Sequence, residues 1–297
     1  MQSKFIEINQ NKYFVRTWGT PNNPKILLLH GFPEYSGAWE PLADHLKKDF
    51  YLIAPDQRGF GQSWGPLDEK YYKTASIIND LEALIKYYGK NIIVLGHDWG
   101  AAVAYALAFS KPKIINKLII LNGVHPAIFQ QALLSNGLQT KASQYINFLR
   151  EKNVEIILKK DNFKKLIELF ATNMDTSWLE GQTKTNYISE WSRENRLKTM
   201  LNWYRASPLV VPKNNTEMRS INFLKNKELS IKCPHLLIWG ERDTALLPES
   251  FSGLENYCLD LEIFKLPNAD HWLHHQEPKK ISRIIAKWVL KKRINNT

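Results

Sequence analysis

The sequence predicts an α/β fold with a mostly parallel central sheet flanked by helices. Three observations carry that prediction: several short uninterrupted apolar runs, amphipathic segments between consecutive runs, and glycine turns where one kind of segment passes into the other. Continuous apolar runs are what strands buried on both faces require, because a strand with one wet face alternates instead.

In chain order the runs are Ile26–Leu29, Tyr51–Ala54, Ile92–Leu95, Leu118–Leu121 and Leu236–Trp239. Between the second and third, Ile77, Ile78, Leu81, Leu84 and Ile85 fall on one helical face from about Thr74 to a stop at Gly89, which makes a βαβ crossover. Ala101–Phe109, small and apolar after a glycine turn, reads as a second crossover helix. After Leu121 the alternation stops until Leu236. That interval holds helical patterns at Val154–Leu158 and Phe163–Phe170, many aromatics and a proline-bounded exit at Pro208–Pro212. A structureless loop of that length does not suit a compact domain. The expected division is therefore a core of residues 1–123 and 231–297 with a helical lid inserted at 124–230. In the last segment Ile281, Ile284, Ile285 and Trp288 recur at i, i+3, i+4 and i+7, the mark of a closing amphipathic helix.

Composition narrows the function classes. With 297 residues, 44% hydrophobic, 12% aromatic and 23% charged, the chain lies in the ordinary globular range, away from disorder, collagen and coiled coil. No apolar run is long enough to span a bilayer, and the acid at Glu7 interrupts any signal-like stretch. Two cysteines, Cys233 and Cys258, are too few for a disulfide framework or thiolate metal site, so a cytoplasmic protein is expected. The net charge of +11 is spread along the chain, and its densest stretch is the solvated face of the closing helix. Nucleic-acid binding and stable membrane insertion are not expected; a homodimer is left open.

The chemistry starts at Gly96-His97-Asp98-Trp99-Gly100, between a buried strand and a helix. Small residues two before and two after the centre allow a sharp strand-to-helix turn, a nucleophile elbow with aspartate where a serine hydrolase has serine. The helix N-terminus favours the ionised carboxylate, so Asp98 is the expected nucleophile, and a serine esterase is disfavoured. A carboxylate nucleophile yields an ester, whose hydrolysis needs a water-activating base and an acid to orient it. Asp243, shortly after the strand ending at Trp239, and His271, after Leu261–Phe264, stand in the expected chain order; Glu241 and Asp270 compete for the acid role, His274 and His275 for the base role. The triple His271, His274 and His275 has no accompanying acidic or thiolate pattern, so no metal is expected. The oxyanion donors expected are the N–H groups of Phe32, in His30-Gly31-Phe32-Pro33, and Trp99.

His30-Gly31-Phe32-Pro33-Glu34, Asp56-Gln57-Arg58-Gly59-Phe60-Gly61-Gln62-Ser63, Gly96–Gly100 and Asn202-Trp203-Tyr204-Arg205 together resemble the epoxide hydrolase branch of the α/β-hydrolase superfamily, over nearly the whole chain. The resemblance implies the α/β-hydrolase fold and conversion of a hydrophobic organic epoxide to a vicinal diol through an aspartyl ester, without a cofactor. It also implies two lid tyrosines that donate to the epoxide oxygen. Tyr204 lies in the matching motif; Tyr145, in Gln144–Phe148, is the better match for the other, with Tyr187 as fallback. Phe32, Trp99 and Trp272 are the expected pocket walls. The alternative, a haloalkane or haloacid dehalogenase with the same nucleophile, is disfavoured on two counts. Phe32 stands where many haloalkane enzymes place a halide-binding asparagine, and Trp99-Gly100-Ala101 where fluoroacetate-type enzymes place arginines.

Overall fold

The computed structural model describes residues 1–213 and 228–294. Residues 214–227, near the end of the expected lid, and 295–297 lie outside the described part.

Eight strands form one sheet: β1 (Gln2–Ile8), β2 (Asn11–Trp18), β3 (Lys25–Leu29), β4 (Tyr51–Pro55), β5 (Ile92–His97), β6 (Ile115–Leu121), β7 (His235–Gly240) and β8 (Leu261–Leu266). Their spatial order is β1-β2-β4-β3-β5-β6-β7-β8. From β4 through β8 every neighbour is parallel, whereas β1 pairs β2, and β2 pairs β4, antiparallel. The sequence reading anticipated the parallel strands and missed the β1–β2 hairpin. Its turn residues, Asn9 and Gln10, both take positive φ (50° and 63°), the geometry of a two-residue hairpin turn.

The core helices are α1 (Glu40–Leu46), α2 (Thr74–Tyr88), α3 (Trp99–Ser110) and, near the C-terminus, α10 (Leu273–Gln276) and α11 (Pro278–Ile294). Alternate residues of each parallel strand feed two hydrophobic layers. Leu27, Leu29, Val94 and Ile120 pack with α2 and α3 on one face, and Ile26, Leu28, Leu95 and Ile119 pack with Leu42, Ile281 and Ile285 on the other. Burial on both faces is why these strands read as unbroken apolar runs.

Between β6 and β7 the chain forms α4 (Pro126–Leu134), α5 (Leu138–Ala142), α6 (Gln144–Leu149), α7 (Val154–Ala171), α8 (Gly181–Ser192) and α9 (Arg196–Ala206). Helix α7 is broken by non-helical dihedrals from Lys160 to Phe163, the junction between the two helical patterns of the sequence. Helix α9 is tied to the loop between β4 and α2: Thr199 Oγ1 donates to Gly59 O (2.7 Å), Trp203 Nε1 to Arg58 O (2.9 Å) and Asn202 Nδ2 to Leu67 O (3.0 Å). That loop is itself pinned by Asp56, which accepts from the backbone N–H groups of Ser36 and Gln62. Among the described residues no helix is long and apolar enough to cross a membrane.

Candidate active site

The turn from β5 into α3 puts Asp98 at φ 51°, ψ −121°, a conformation that a non-glycine residue holds only when its surroundings impose it. They do so here through close packing: a Cβ on Gly100 would collide with the Leu29 carbonyl, and one on Gly31 with the Asp98 side chain. The Asp98 carboxylate makes no capping bond to its own helix. Its Oδ1 accepts the Phe32 N–H at 2.7 Å, and its Oδ2 lies 3.8 Å from His271 Nε2, beyond hydrogen-bond reach.

The other face of the His271 ring meets Asp243, Nδ1 to Oδ2 at 2.8 Å. Asp243 is held by three further donors, the Ala245 and Leu246 N–H groups on Oδ1 (2.8 and 2.9 Å) and Asn122 Nδ2 on Oδ2 (2.7 Å). Burial opposes its ionisation, yet the charge and hydrogen bond of His271, together with those donors, hold its carboxyl below the usual range. Burial likewise opposes protonation of His271, but the charge and hydrogen bond of Asp243, with the charge of Asp98, lift it to about 9.

Behind this triad lies a buried hydrogen-bond cluster that the sequence did not reveal. Glu34 accepts from His97 Nδ1 (3.2 Å), His274 Nε2 (3.2 Å), His275 Nε2 (2.7 Å) and Tyr187 Oη (3.0 Å). His97 Nε2 donates to the backbone oxygen of His271 at 2.9 Å, which links the elbow to the loop carrying the histidine. Among the described residues Glu34, His274 and His275 form the one grouping with metal-ligand spacing, their ligand atoms within 4.8 Å of one another. It differs from the histidine triple considered on sequence, because His271 turns to Asp243. Each ligand atom already serves a hydrogen bond, and the group reads as a polar core.

Above Asp98 opens a cavity of about 500 Å³. Its lining includes the phenols of Tyr145 and Tyr204, whose rings lie 6.4 Å apart at 79° and both of which feel the charge of Asp98. Burial and the negative charge of Asp98 raise both phenols above their ordinary range, so both remain protonated donors.

Trp99 also lines the cavity, but two expected walls do not. The Trp272 side chain runs the other way, donating Nε1–H to Phe170 O (3.1 Å) and packing on Trp178 and the His271 ring. Phe32 packs edge-on against Tyr204 and meets Asp98 through its backbone. Tyr187 is spent on Glu34 and is absent from the cavity wall. Of the competitors, Glu241 is exposed and faces Lys265, while Asp270 accepts the N–H groups of Trp272 and Asp175. The sequence contains a second elbow-like spacing, Gly61-Gln62-Ser63-Trp64-Gly65, centred on serine. It follows no strand directly, and Ser63 is buried with its Oγ accepting the Phe14 N–H, so the serine alternative fails on structure.

A family model described as alpha/beta hydrolase fold matches residues 24–278. The AB hydrolase superfamily protein YfhM of Bacillus subtilis is 28% identical over 97% of this chain and 98% of its own length. Human Epoxide hydrolase 4 is 28% identical over 90% of this chain and 72% of its length. A solved structure described among novel epoxide hydrolases of the superfamily from metagenomes of hot environments superposes with a TM-score of 0.89 at 29% identity. It covers 97% of this chain and 98% of its own.

Proposed function

Because the chain belongs to the alpha/beta hydrolase fold family, we propose that its cleft is that of an epoxide hydrolase, converting an organic epoxide and water to a vicinal diol. The observation that carries this reading is a carboxylate at the elbow that shares one mainly apolar cavity with two protonated phenols on which its charge acts. A three-membered ether opens when a nucleophile attacks carbon while donors take the charge that develops on oxygen. Relatives whose printed names are epoxide hydrolases support the same reaction.

In this proposal residues 1–123 and 231–297 form the core that holds the triad, and the lid of residues 124–230 supplies Tyr145 and Tyr204. Asp98 Oδ2, the oxygen toward His271, attacks the epoxide carbon while the two phenols donate to the leaving oxygen. The resulting ester is neutral, so one of the charges that raise His271 disappears and the imidazole moves toward its basic form. His271 Nε2 then takes a proton from water as that water attacks the ester carbonyl, with Asp243 holding the ring. Oδ1 becomes the oxyanion, stabilised by the Phe32 N–H on which it already rests, joined by the Trp99 N–H; its collapse breaks the bond to the alkyl oxygen, which takes the proton from His271 and leaves as the diol, and the Asp98 carboxylate is restored. No cofactor enters the scheme. A cytoplasmic location accords with two free cysteines, Cys233 and Cys258, and sedimentation velocity decides between monomer and homodimer.

The test is a diol-release screen over styrene-type, terminal aliphatic and internal epoxides, run beside haloalkanes and haloacids with halide detection, on the parent and Asp98→Asn. Diol formation lost in the variant is the expected result. Halide release matching diol formation, or full activity in a variant verified by mass as the amide, overturns the reading.

A further inference from the structure

We infer that the substrate is an oxirane at or near the end of a neutral, unbranched alkyl chain that lies along α3; this rests on the epoxide reading above. Trp99, Ala102, Val103, Ala106, Phe109 and Ser110 all line the cavity. Their spacing places them on one face of α3 from its first residue to its last. At 1.5 Å per residue that face runs about 16 Å, so the cavity reaches along the whole of α3. Ala102 and Ala106 are half-buried in a helix whose other alanines are packed, because their methyl groups look into the cavity. Ile78 of α2 and Phe129 of α4 stand on the other walls.

The two ends differ. Asp98 is half-buried at the Trp99 end, whereas Ser110 at the other end is exposed, as is Glu228, whose neighbour Leu229 bonds the His125 that packs on Phe109; these mark a mouth. An extended chain advances roughly 1.2 Å per bond, so the length accommodates about a dozen carbons beyond the reacting one. Apart from phenols, the ionisable groups on the described wall are Asp98 and Glu228, both carboxylates; no lysine, arginine or histidine is among them. A substrate carboxylate drawn along this described apolar wall would lose hydration and meet no cation on it, while at the mouth Glu228 already holds Lys232 at 2.9 Å. The cavity therefore selects an uncharged tail.

The experiment measures kcat/KM across 1,2-epoxyalkanes from butane to hexadecane, beside compact aryl and cyclic epoxides, and compares ω-carboxy epoxides with their methyl esters. The expected rise is about fourfold per methylene up to roughly the dodecane length, followed by a plateau, with each carboxylate at least tenfold below its ester. Ala106→Leu, and more strongly Ala106→Trp, should cut the dodecane-to-butane ratio by tenfold or more. Binding of alkane-1,2-diols, read by fluorescence of Trp99 and Trp203 on the wall, follows the cavity without turnover. A flat chain-length profile in an active enzyme, or a preference for carboxylates, overturns this inference alone. Absence of turnover with any epoxide, alongside chain-length-dependent diol binding, overturns instead the hydrolase reading beneath it.

Discussion

Replacing Asp98 with asparagine should lower the pKa of His271 from about 9 by about one to two units. His271 Nε2 and Asp98 Oδ2 are 3.8 Å apart. Two unit charges at that distance interact by about 4 kcal/mol at an effective dielectric of 20 and about 1 kcal/mol in bulk water. Asp98 lies at the floor of an open-mouthed cavity, between those limits, and one pKa unit corresponds to about 1.4 kcal/mol. The Asp243 bond at 2.8 Å survives the substitution, so the imidazole stays above its unperturbed value. An NMR titration of the labelled imidazole in parent and variant reads the change directly. A shift smaller than about 0.3 units, or an upward one, refutes the argument that ester formation frees the base. The same raised pKa predicts a stability signature. Its contribution is present below the unfolded value near 6.5 and fades as pH rises through about 9. Denaturant midpoints should therefore fall less between pH 6 and pH 10 in Asp98→Asn than in the parent.

His271→Gln should still open the ring but leave the ester, so intact mass after mixing with an epoxide should increase by one substrate, mapped to Asp98; binding without any adduct would falsify the two-step mechanism. Tyr204→Phe should slow adduct formation by about 10- to 1,000-fold, and single-turnover rates equal to the parent would remove Tyr204 from the ring-opening step. Asn122→Ala withdraws a donor from Asp243 and an acceptor from the buried Gly240 N–H, at a cost of about 1–3 kcal/mol in stability; an unchanged denaturant midpoint would show that those bonds are replaced.

What was legible in the sequence follows the range of the interactions. The elbow reads locally because strand, turn and helix are contiguous and glycine at 96 answers to packing within that unit, against Gly100 and Ala101, while Gly100 answers to the adjoining strand at Leu29. The parallel strands read because burial on two faces leaves no polar positions. By contrast β1, with only Ile6 and Ile8 buried among its seven residues, looks polar, and the alternation of Tyr13 and Val15 in β2 was the available signal. Trp272 follows His271 by one residue, but adjacency along the chain is not adjacency in the pocket. The backbone there turns successive side chains apart, one to Asp243 and the other to Phe170. The Glu34 cluster gathers Glu34, His97, Tyr187, His274 and His275 from four distant segments, so no spacing in one dimension could announce it.

The bonds that fasten α9 to the Arg58–Leu67 stretch have a kinetic consequence. Tyr204 rides on a helix bolted to the sheet-bearing body, and the neighbouring α8 is bolted too, through Trp191 Nε1 on Pro33 O and Tyr187 on Glu34. With both helices fixed, the roof over Asp98 behaves as masonry rather than a door. On the inferred alkyl-chain reading, traffic among the described residues runs along α3 past Ser110 and Glu228, oxirane first on the way in and tail first on the way out. A longer diol then has more wall to leave before the next epoxide reaches the carboxylate, so release time, rather than any closing motion, is expected to grow with the length of the chain.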